Sequence, residues 1–323
     1  MKLSFSIIIP VYNRPNEIDE LLGSLTKQTF SDQFEVLLIE DGSTEKSDHI
    51  VKKYQDQLHI RYFLKENTGA GASRNFGLIN ATGSYFIILD SDVIVPNHYL
   101  AEVKKALLNN FTDAFGGPDA AHQSFTNLQK AINYSMTSLI TTGGIRGNKQ
   151  AVVKFQPRSF NFGLSKKAFE NTQGFSNMKN GEDIDLTFRL WEKGFETQFI
   201  EKAFVFHKRR ASIQQFFKQT FGFGTARPKL NRKYPETAKF TYWFPSIFII
   251  GIDVSFICMF FGYNQFLYSY AVYFLILFVD SLFKNKNLMV AFLSMITSFT
   301  QFLGYGLGFL QSFFFFKKVN EFK

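Results

Sequence analysis

An α/β domain built on a mostly parallel sheet, followed by a set of membrane helices, is the fold class this sequence predicts. Three observations carry it. Over the first two thirds of the chain, short apolar runs of strand length alternate with stretches of helical spacing, the rhythm of strand, crossover helix and parallel strand. The runs end in polar or acidic residues, among them Asn13, Asp41 and Asp90. From about residue 242 onward charge almost vanishes and phenylalanine dominates, so the two parts of the chain are built for different solvents.

The first run, residues 6–11, reads as a buried strand that breaks at Pro10 and leaves Tyr12 and Asn13 in the loop beyond it. Helical spacing follows over residues 17–25. A second strand over 34–39 ends in Glu40-Asp41-Gly42-Ser43, and a helix is expected from about 45 to 57. A third strand, 60–64, runs into Asn67-Thr-Gly69-Ala-Gly71-Ala-Ser73-Arg74-Asn75. Glycines beside a helix start let backbone amides approach a phosphate, and Arg74 adds a two-pronged donor. The spacing is neither Gly-x-Gly-x-x-Gly nor a Walker lysine motif, which argues against dinucleotide and P-loop sites.

Residues 85–89 form an unbroken apolar run that delivers Asp90 and Asp92. A strand's period of two turns both carboxylates to the same side, where they can converge on a hard cation such as Mg2+ or Mn2+. Taken alone, Asp-Ser-Asp is equally the turn chemistry expected ahead of Pro96. Beyond it, a helix is expected near 99–108, a strand at 114–118 and a helix at 127–138. The glycine-containing stretch 141–147 reads as a loop suited to contact with a substrate. A strand leading to a helix follows at 160–165. Gly181-Glu182-Asp183-Ile-Asp185 then opens an amphipathic helix, whose acidic first turn the helix dipole favours on its own account.

The net charge is +9, from 36 basic and 27 acidic residues, and the excess is local. Between Lys202 and Lys239 stand ten Lys or Arg and one acid, Glu236. A basic run just ahead of apolar segments suits an anionic membrane face and the positive-inside rule. Neither a helix-turn-helix pattern nor an RNA-binding signature accompanies it, so no nucleic-acid partner is expected. The single cysteine, Cys258, excludes an internal disulfide and a multi-cysteine zinc site and fits a reducing cytoplasm. The apolar run near the amino terminus is too short for a secretory signal, so the globular part is expected to remain in the cytoplasm.

Residues 243–263 and 266–283 are long enough to cross a bilayer as a hairpin, and 288–316 carries no charge over 29 residues. Three spans would put Lys317 and Lys318 on the outer side, against the positive-inside expectation. Gly304, Gly306 and Gly308 would break or tilt the last stretch, so two to three spans are expected. Asp253 and Asp280 are costly in lipid and are expected to face a partner helix or the interface.

The ordered set Ile-Pro10-Val-Tyr12-Asn13, Glu40-Asp41-Gly-Ser43, Asn67-x-Gly-x-Gly71-x-Ser73-Arg74-Asn75, Asp90-Ser-Asp92, Gly181-Glu182-Asp183-Ile-Asp185 and Val205-Phe-His207-x-x-Arg210 resembles the family 2 glycosyltransferases. These are inverting enzymes with the GT-A fold, a Rossmann-like nucleotide-diphospho-sugar transferase fold. The resemblance implies a globular domain over residues 1–235, with a nucleotide-sugar half at 1–115 and an acceptor half at 116–235. A membrane domain at 242–316 and a basic tail at 317–323 would follow. It implies that Pro10, Tyr12, Asn13 and Asp41 hold the nucleoside, with Asp41 at the base. Arg74 would order the donor loop and face the diphosphate. Asp90 would serve ribose and metal, and Asp92 would ligate a divalent cation, Mg2+ or Mn2+, with His207 completing the site or touching phosphate. Asp183 would be the general base with Glu182 beside it.

The expected partners are therefore a nucleotide-sugar donor, foremost a UDP-sugar, a glycan or lipid-linked acceptor, and membrane lipids. The expected location is the cell's inner membrane, multi-pass, with the catalytic domain cytoplasmic. The Gln-x-x-Arg-Trp motif of processive synthases is missing around Gln215 to Arg227, which favours single-sugar transfer. The competing readings are a processive polysaccharide synthase and a transporter or channel subunit with a nucleotide-sugar-binding regulatory domain.

Overall fold

The computed structural model describes residues 3–143 and 154–315. In chain order its elements are β1 (Phe5–Val11), α1 (Pro15–Leu25), β2 (Phe34–Asp41), α2 (Asp48–Tyr54), β3 (His59–Lys65), α3 (Ala70–Asn80), β4 (Tyr85–Leu89), β5 (Val93–Ile94), α4 (Tyr99–Asn109), β6 (Ala114–Gly116) and β7 (Asp119–Ala120). They continue with α5 (Asn127–Thr137), α6 (Leu139–Thr142), β8 (Asn161–Ser165), α7 (Lys166–Thr172), α8 (Glu182–Glu192), β9 (Thr197–Phe199) and β10 (Val205–His207). Four helices close the described chain: α9 (Ile213–Lys233), α10 (Phe244–Phe260), α11 (Gln265–Asn285) and α12 (Leu288–Phe315).

Two compact units result. The first holds residues 3–120 and 154–207, the second 121–143 and 208–315. Neither expected boundary, at 116 or at 235, coincides with this division.

In the first unit a seven-stranded sheet runs β3-β2-β1-β4-β8-β6-β9. Strands β1 to β4 are mutually parallel, as the alternating pattern predicts, and β8 enters antiparallel between β4 and β6. The period of two divides β1 between two cores: Ile7 and Ile9 pack with Ile18, Leu22, Leu100 and Val103, whereas Ile8 packs with Leu78, Phe86, Phe162 and Leu186. Burial on both faces explains why the run shows no alternation in sequence. Strand order reverses between β1 and β4, the place where open α/β sheets receive ligands at their carboxyl edge.

Two expectations need adjustment here. Strand β1 does not break at Pro10, which pairs with Ile39, and Val11 pairs with Glu40. The proline lies past the last residue paired with β4, Ile8, so its missing N–H removes no bond on that side. Helix α2 starts only at Asp48, because the preceding residues turn back to the end of β1.

In the second unit α12 is the central helix, packed by α5, α9, α10 and α11. Ser135 on α5 bonds Thr297 Oγ1 at 2.7 Å and Ser298 Oγ at 2.9 Å, and Ser281 on α11 bonds Ser294 at 2.8 Å. Asp280 accepts from Tyr134 at 2.6 Å and Lys284 at 2.9 Å, which offsets the cost of a carboxylate in an apolar helix.

The three glycines of α12 do not break it: the helix is continuous through residue 315. They are points of close approach instead. A Cβ on Gly304 would sit 2.2 Å from Thr220 Oγ1, and one on Gly308 2.2 Å from the Phe221 carbonyl, both on α9. Helix α9 thus lies along α12, which is why it groups with the apolar helices. Residues 240–260 and helices α11 and α12 are long and apolar enough to cross a membrane. The chain beyond residue 315, with Lys317 and Lys318, lies outside the described residues, as does the part of the 141–147 loop beyond Gly143.

Candidate active site

The site assembles at the carboxyl edge of the parallel strands in the first unit. Beyond β1 the chain turns at Asn13, whose φ of 53° lies in the left-handed region that asparagine tolerates better than most residues. Its N–H donates to Ser43 Oγ at 2.8 Å, and its side-chain oxygen accepts from Glu45 N–H at 3.0 Å and Thr44 Oγ1 at 3.1 Å. Ser43 in turn donates to the fully buried Glu40, which also accepts Ser47 N–H at 2.8 Å and Tyr62 OH at 3.1 Å. These bonds staple the end of β1 to the end of β2. Tyr12, 50% exposed, presents its ring to solvent, whereas Pro10 is buried within the strand.

Asp41 ends β2 with its carboxylate turned toward the glycine-containing loop. Its two oxygens accept Thr68 N–H at 3.0 Å and Gly69 N–H at 2.9 Å, and Lys65 pairs with it directly. Lys65 also reaches Thr68 Oγ1 at 2.6 Å and the Glu66 carbonyl at 2.7 Å. Burial alone would push the Asp41 carboxyl up, but Lys65 and the Thr68 amide outweigh it and hold it below the usual carboxylate range. Here Asp41 shapes the loop that opens α3. Gly69, at φ 91°, takes the backbone conformation the loop needs there.

Arg74, one turn into α3, is buried, with its side chain 5% exposed. Its Nη2 donates to Asp90 Oδ1 and its Nη1 to Glu182 Oε1, each at 2.8 Å, while the guanidinium lies over the Phe175 ring at 5.3 Å. Two sequence-distant motifs are joined by one side chain.

Asp92 and His207 meet through a second, three-stranded sheet of order β5-β10-β7. In it His207 pairs with Val93, the residue after Asp92, and Val205 pairs with Asp119. His207 Nε2 lies 3.3 Å from Asp92 Oδ1 and Nδ1 lies 3.7 Å from Asp119 Oδ2. The Phe160 ring stacks on the imidazole at 4.9 Å. Asp92 Oδ2 accepts from Arg14 at 2.5 Å. One atom each of Asp90, Asp92 and His207 fall within 4.8 Å of one another, which makes a group able to hold a cation. Two carboxylates and an imidazole are a donor set suited to Mn2+, and the carboxylates to Mg2+ as well.

The acidic opening of α8 follows Gly181, itself left-handed at φ 83°. Asp183 accepts the Ile184 N–H at 2.8 Å and the Ser159 N–H at 3.3 Å. Asp185, fully buried, is held by Arg189 at 2.9 Å, and Arg189 also caps the Thr172 and Gly174 carbonyls, so this carboxylate is structural. Burial and the neighbouring Asp183 push Glu182 up to about 7, against the opposing pull of Arg74.

Of the residues singled out in sequence, Asp90, Asp92, His207, Arg74 and Glu182 come together, with Asp183 next along α8. Tyr12, Asn13 and Asp41 stand at neighbouring strand ends. Two neighbours of the cation group are absent from the motifs: Arg14, directly after the Tyr12-Asn13 pair, and Asp119. Asp119 follows an expected strand end, at 114–118, as Asp90 follows another, and that parallel is the signal by which it could have been found.

Residues 6–173, more than half of the chain, match the family model described as Glycosyl transferase family 2. Over 144 residues the chain is 34% identical to an uncharacterized glycosyltransferase of Rickettsia bellii, covering 44% of this chain and 19% of that protein. Over 109 residues it is 35% identical to the glycosyltransferase GlyA of Streptococcus pneumoniae, covering 33% and 16%. Over 114 residues it is 35% identical to the poly(ribitol-phosphate) beta-N-acetylglucosaminyltransferase TarS of Staphylococcus aureus, covering 34% and 20%. The chain thus spans a fifth or less of the length of these relatives. Among solved structures, the mannosyltransferase PcManGT of Pyrobaculum calidifontis, in complex with GDP-Man and Mn2+, has a TM-score of 0.62 at 15% identity, covering 97% of this chain and 88% of that one. TarS of S. aureus in complex with UDP-GlcNAc has a TM-score of 0.50 at 21% identity, covering 69% and 66%. At these identities the likeness establishes a shared fold.

Proposed function

The chain belongs to glycosyltransferase family 2, and from that premise we propose that it transfers a single sugar, with inversion, from a nucleoside-diphosphate sugar to a lipid-linked glycan acceptor at a membrane. The observation that carries the reading is the Arg74 bridge, which ties the Asp90 side of the cation group to Glu182 at 2.8 Å on each arm. A donor-handling cluster and an acidic cluster at a helix start are thereby held in one geometry, as transfer between two bound substrates requires. UDP-sugars are the first donors to test, since TarS is recorded with UDP-GlcNAc. A GDP-sugar is the second, since PcManGT is recorded with GDP-Man.

In this reading Tyr12 offers its exposed ring to the nucleobase, while Asn13 and Asp41 fix the loops on which the nucleoside rests. Asp90, Asp92 and His207 would hold a divalent cation, which would neutralise charge on the departing diphosphate. Arg74 keeps Asp90 oriented. Asp183 takes the proton from the acceptor hydroxyl as that oxygen bonds to the anomeric carbon and the bond from carbon to the diphosphate oxygen breaks. Glu182, held by Arg74, sets the local charge beside it. The acceptor's lipid linkage is inferred from the three apolar helices and the basic stretch that precedes them.

The decisive experiment is a sugar-nucleotide panel on detergent-solubilised full-length protein, reading released nucleoside diphosphate with and without Mn2+. Asp92→Ala is expected to abolish Mn2+-dependent release. Asp183→Asn is expected to abolish transfer while donor affinity stays intact. Full transfer by the Asp183 variant sinks the base assignment, and no release with any donor sinks the reading as a whole.

A further inference from the structure

His207 is held on three sides. Phe160 stacks on its ring at 4.9 Å with an interplanar angle of 27°, Asp92 faces Nε2 at 3.3 Å, and Asp119 faces Nδ1 at 3.7 Å. The Asp119 side chain is 0% exposed and sits on a two-residue strand in register with β10. A carboxylate so fully buried is costly unless a charged or hydrogen-bonding partner faces it, and the imidazole is such a partner.

The two ring nitrogens, separated by one ring carbon, face in different directions. Asp119 stands on the Nδ1 side, whereas Asp92, which with Asp90 and His207 makes up the group able to hold a cation, faces Nε2. We propose that Asp119 is a positioning residue for the cation centre, acting through His207 rather than as a ligand. It fixes the ring so that Nε2 turns toward the Asp90–Asp92 pair, and its negative charge strengthens that nitrogen as a donor. The inference rests on the cation reading above.

The test uses the full-length protein in detergent and Mn2+ as the probe, counting free ion by electron paramagnetic resonance in the presence of UDP and, separately, GDP. Asp119→Ala is expected to weaken Mn2+ binding roughly 10–100-fold, the usual effect of losing an outer partner of a ligand. Asp119→Asn, which preserves volume, is expected to weaken it less and guards against a folding defect. Nucleotide affinity in EDTA is expected to stay at the wild-type value in both variants.

Because Asp119 acts through His207, Asp119→Ala made in a His207→Ala background is expected to cost nothing further, a coupling that a general packing role would not produce. Wild-type Mn2+ affinity in both Asp119 variants overturns the inference and leaves the cation reading standing. An undiminished loss in the His207→Ala background also overturns it. A wild-type protein that takes up no Mn2+ with either nucleotide overturns both.

Discussion

Single carboxylates in this protein are set apart by their surroundings, and pH resolves them. Glu182 titrates near 7 in the folded chain, raised from its ordinary 4.5 by burial and by Asp183. Between those values the folded state binds more protons than the unfolded one, so this group's contribution to stability falls as pH rises through the window. Glu182→Gln is therefore expected to flatten the urea midpoint against pH between about 4.5 and 7. Glu35 behaves in the opposite sense. Burial would raise it, but bonds from Ser6, Thr82 and Arg61 lower it to about 2. Its contribution is present above 4.5 and is lost as pH falls toward about 2, and Glu35→Gln should remove that acid-side loss. At this scale the motif residues were legible because their chemistry is carried by residue type and spacing. Arg14 was not, because it acts by facing Asp92, far away in sequence; Asp119 was marked only by its place after an expected strand end, and its nearness to His207 shows only once β7 pairs with β10.

Elements divide by length in what the sequence discloses. The parallel strands β1, β2 and β4 are long apolar runs, and their pattern predicts them; β5, β7 and β10 span two or three residues, too few for any period to show. The same blindness to neighbours makes the glycines of α12 read as breakers. A glycine inside a helix costs only about 1 kcal/mol, too little to interrupt so long an apolar run. What the glycines permit is contact with α9. Gly308→Val should therefore lower stability in detergent by about 1–3 kcal/mol, read from thermal midpoints, because the nearest obstacle is backbone. Leu307→Val, at a 42% exposed neighbour, should stay within roughly 0.5 kcal/mol.

Across the whole molecule, the surface of the second unit decides where the protein resides. Phe260 and Phe283, on α10 and α11, are 82% and 77% exposed, a surface that water does not tolerate over such lengths. The chain is expected to stay in the membrane pellet through alkaline carbonate extraction and to need detergent for release; recovery in the wash would contradict a spanning anchor. Protease added to intact spheroplasts should leave the first unit uncut if that unit faces the cytoplasm, the orientation the sequence leads one to expect, and should cut it if it faces outward.

The small sheet of β5, β10 and β7 also imposes a sequence in time. Asp92 and His207 become neighbours only when β10 docks on β5, which closes the chain from residue 94 to residue 206 into a loop, and such closures are entropically slow compared with pairing of nearby strands. The group proposed to hold a cation is therefore among the last parts of the unit to form. In a refolding experiment with pulsed hydrogen exchange, amides of β1 and β2 should gain protection before those of residues 93–94 and 205–207.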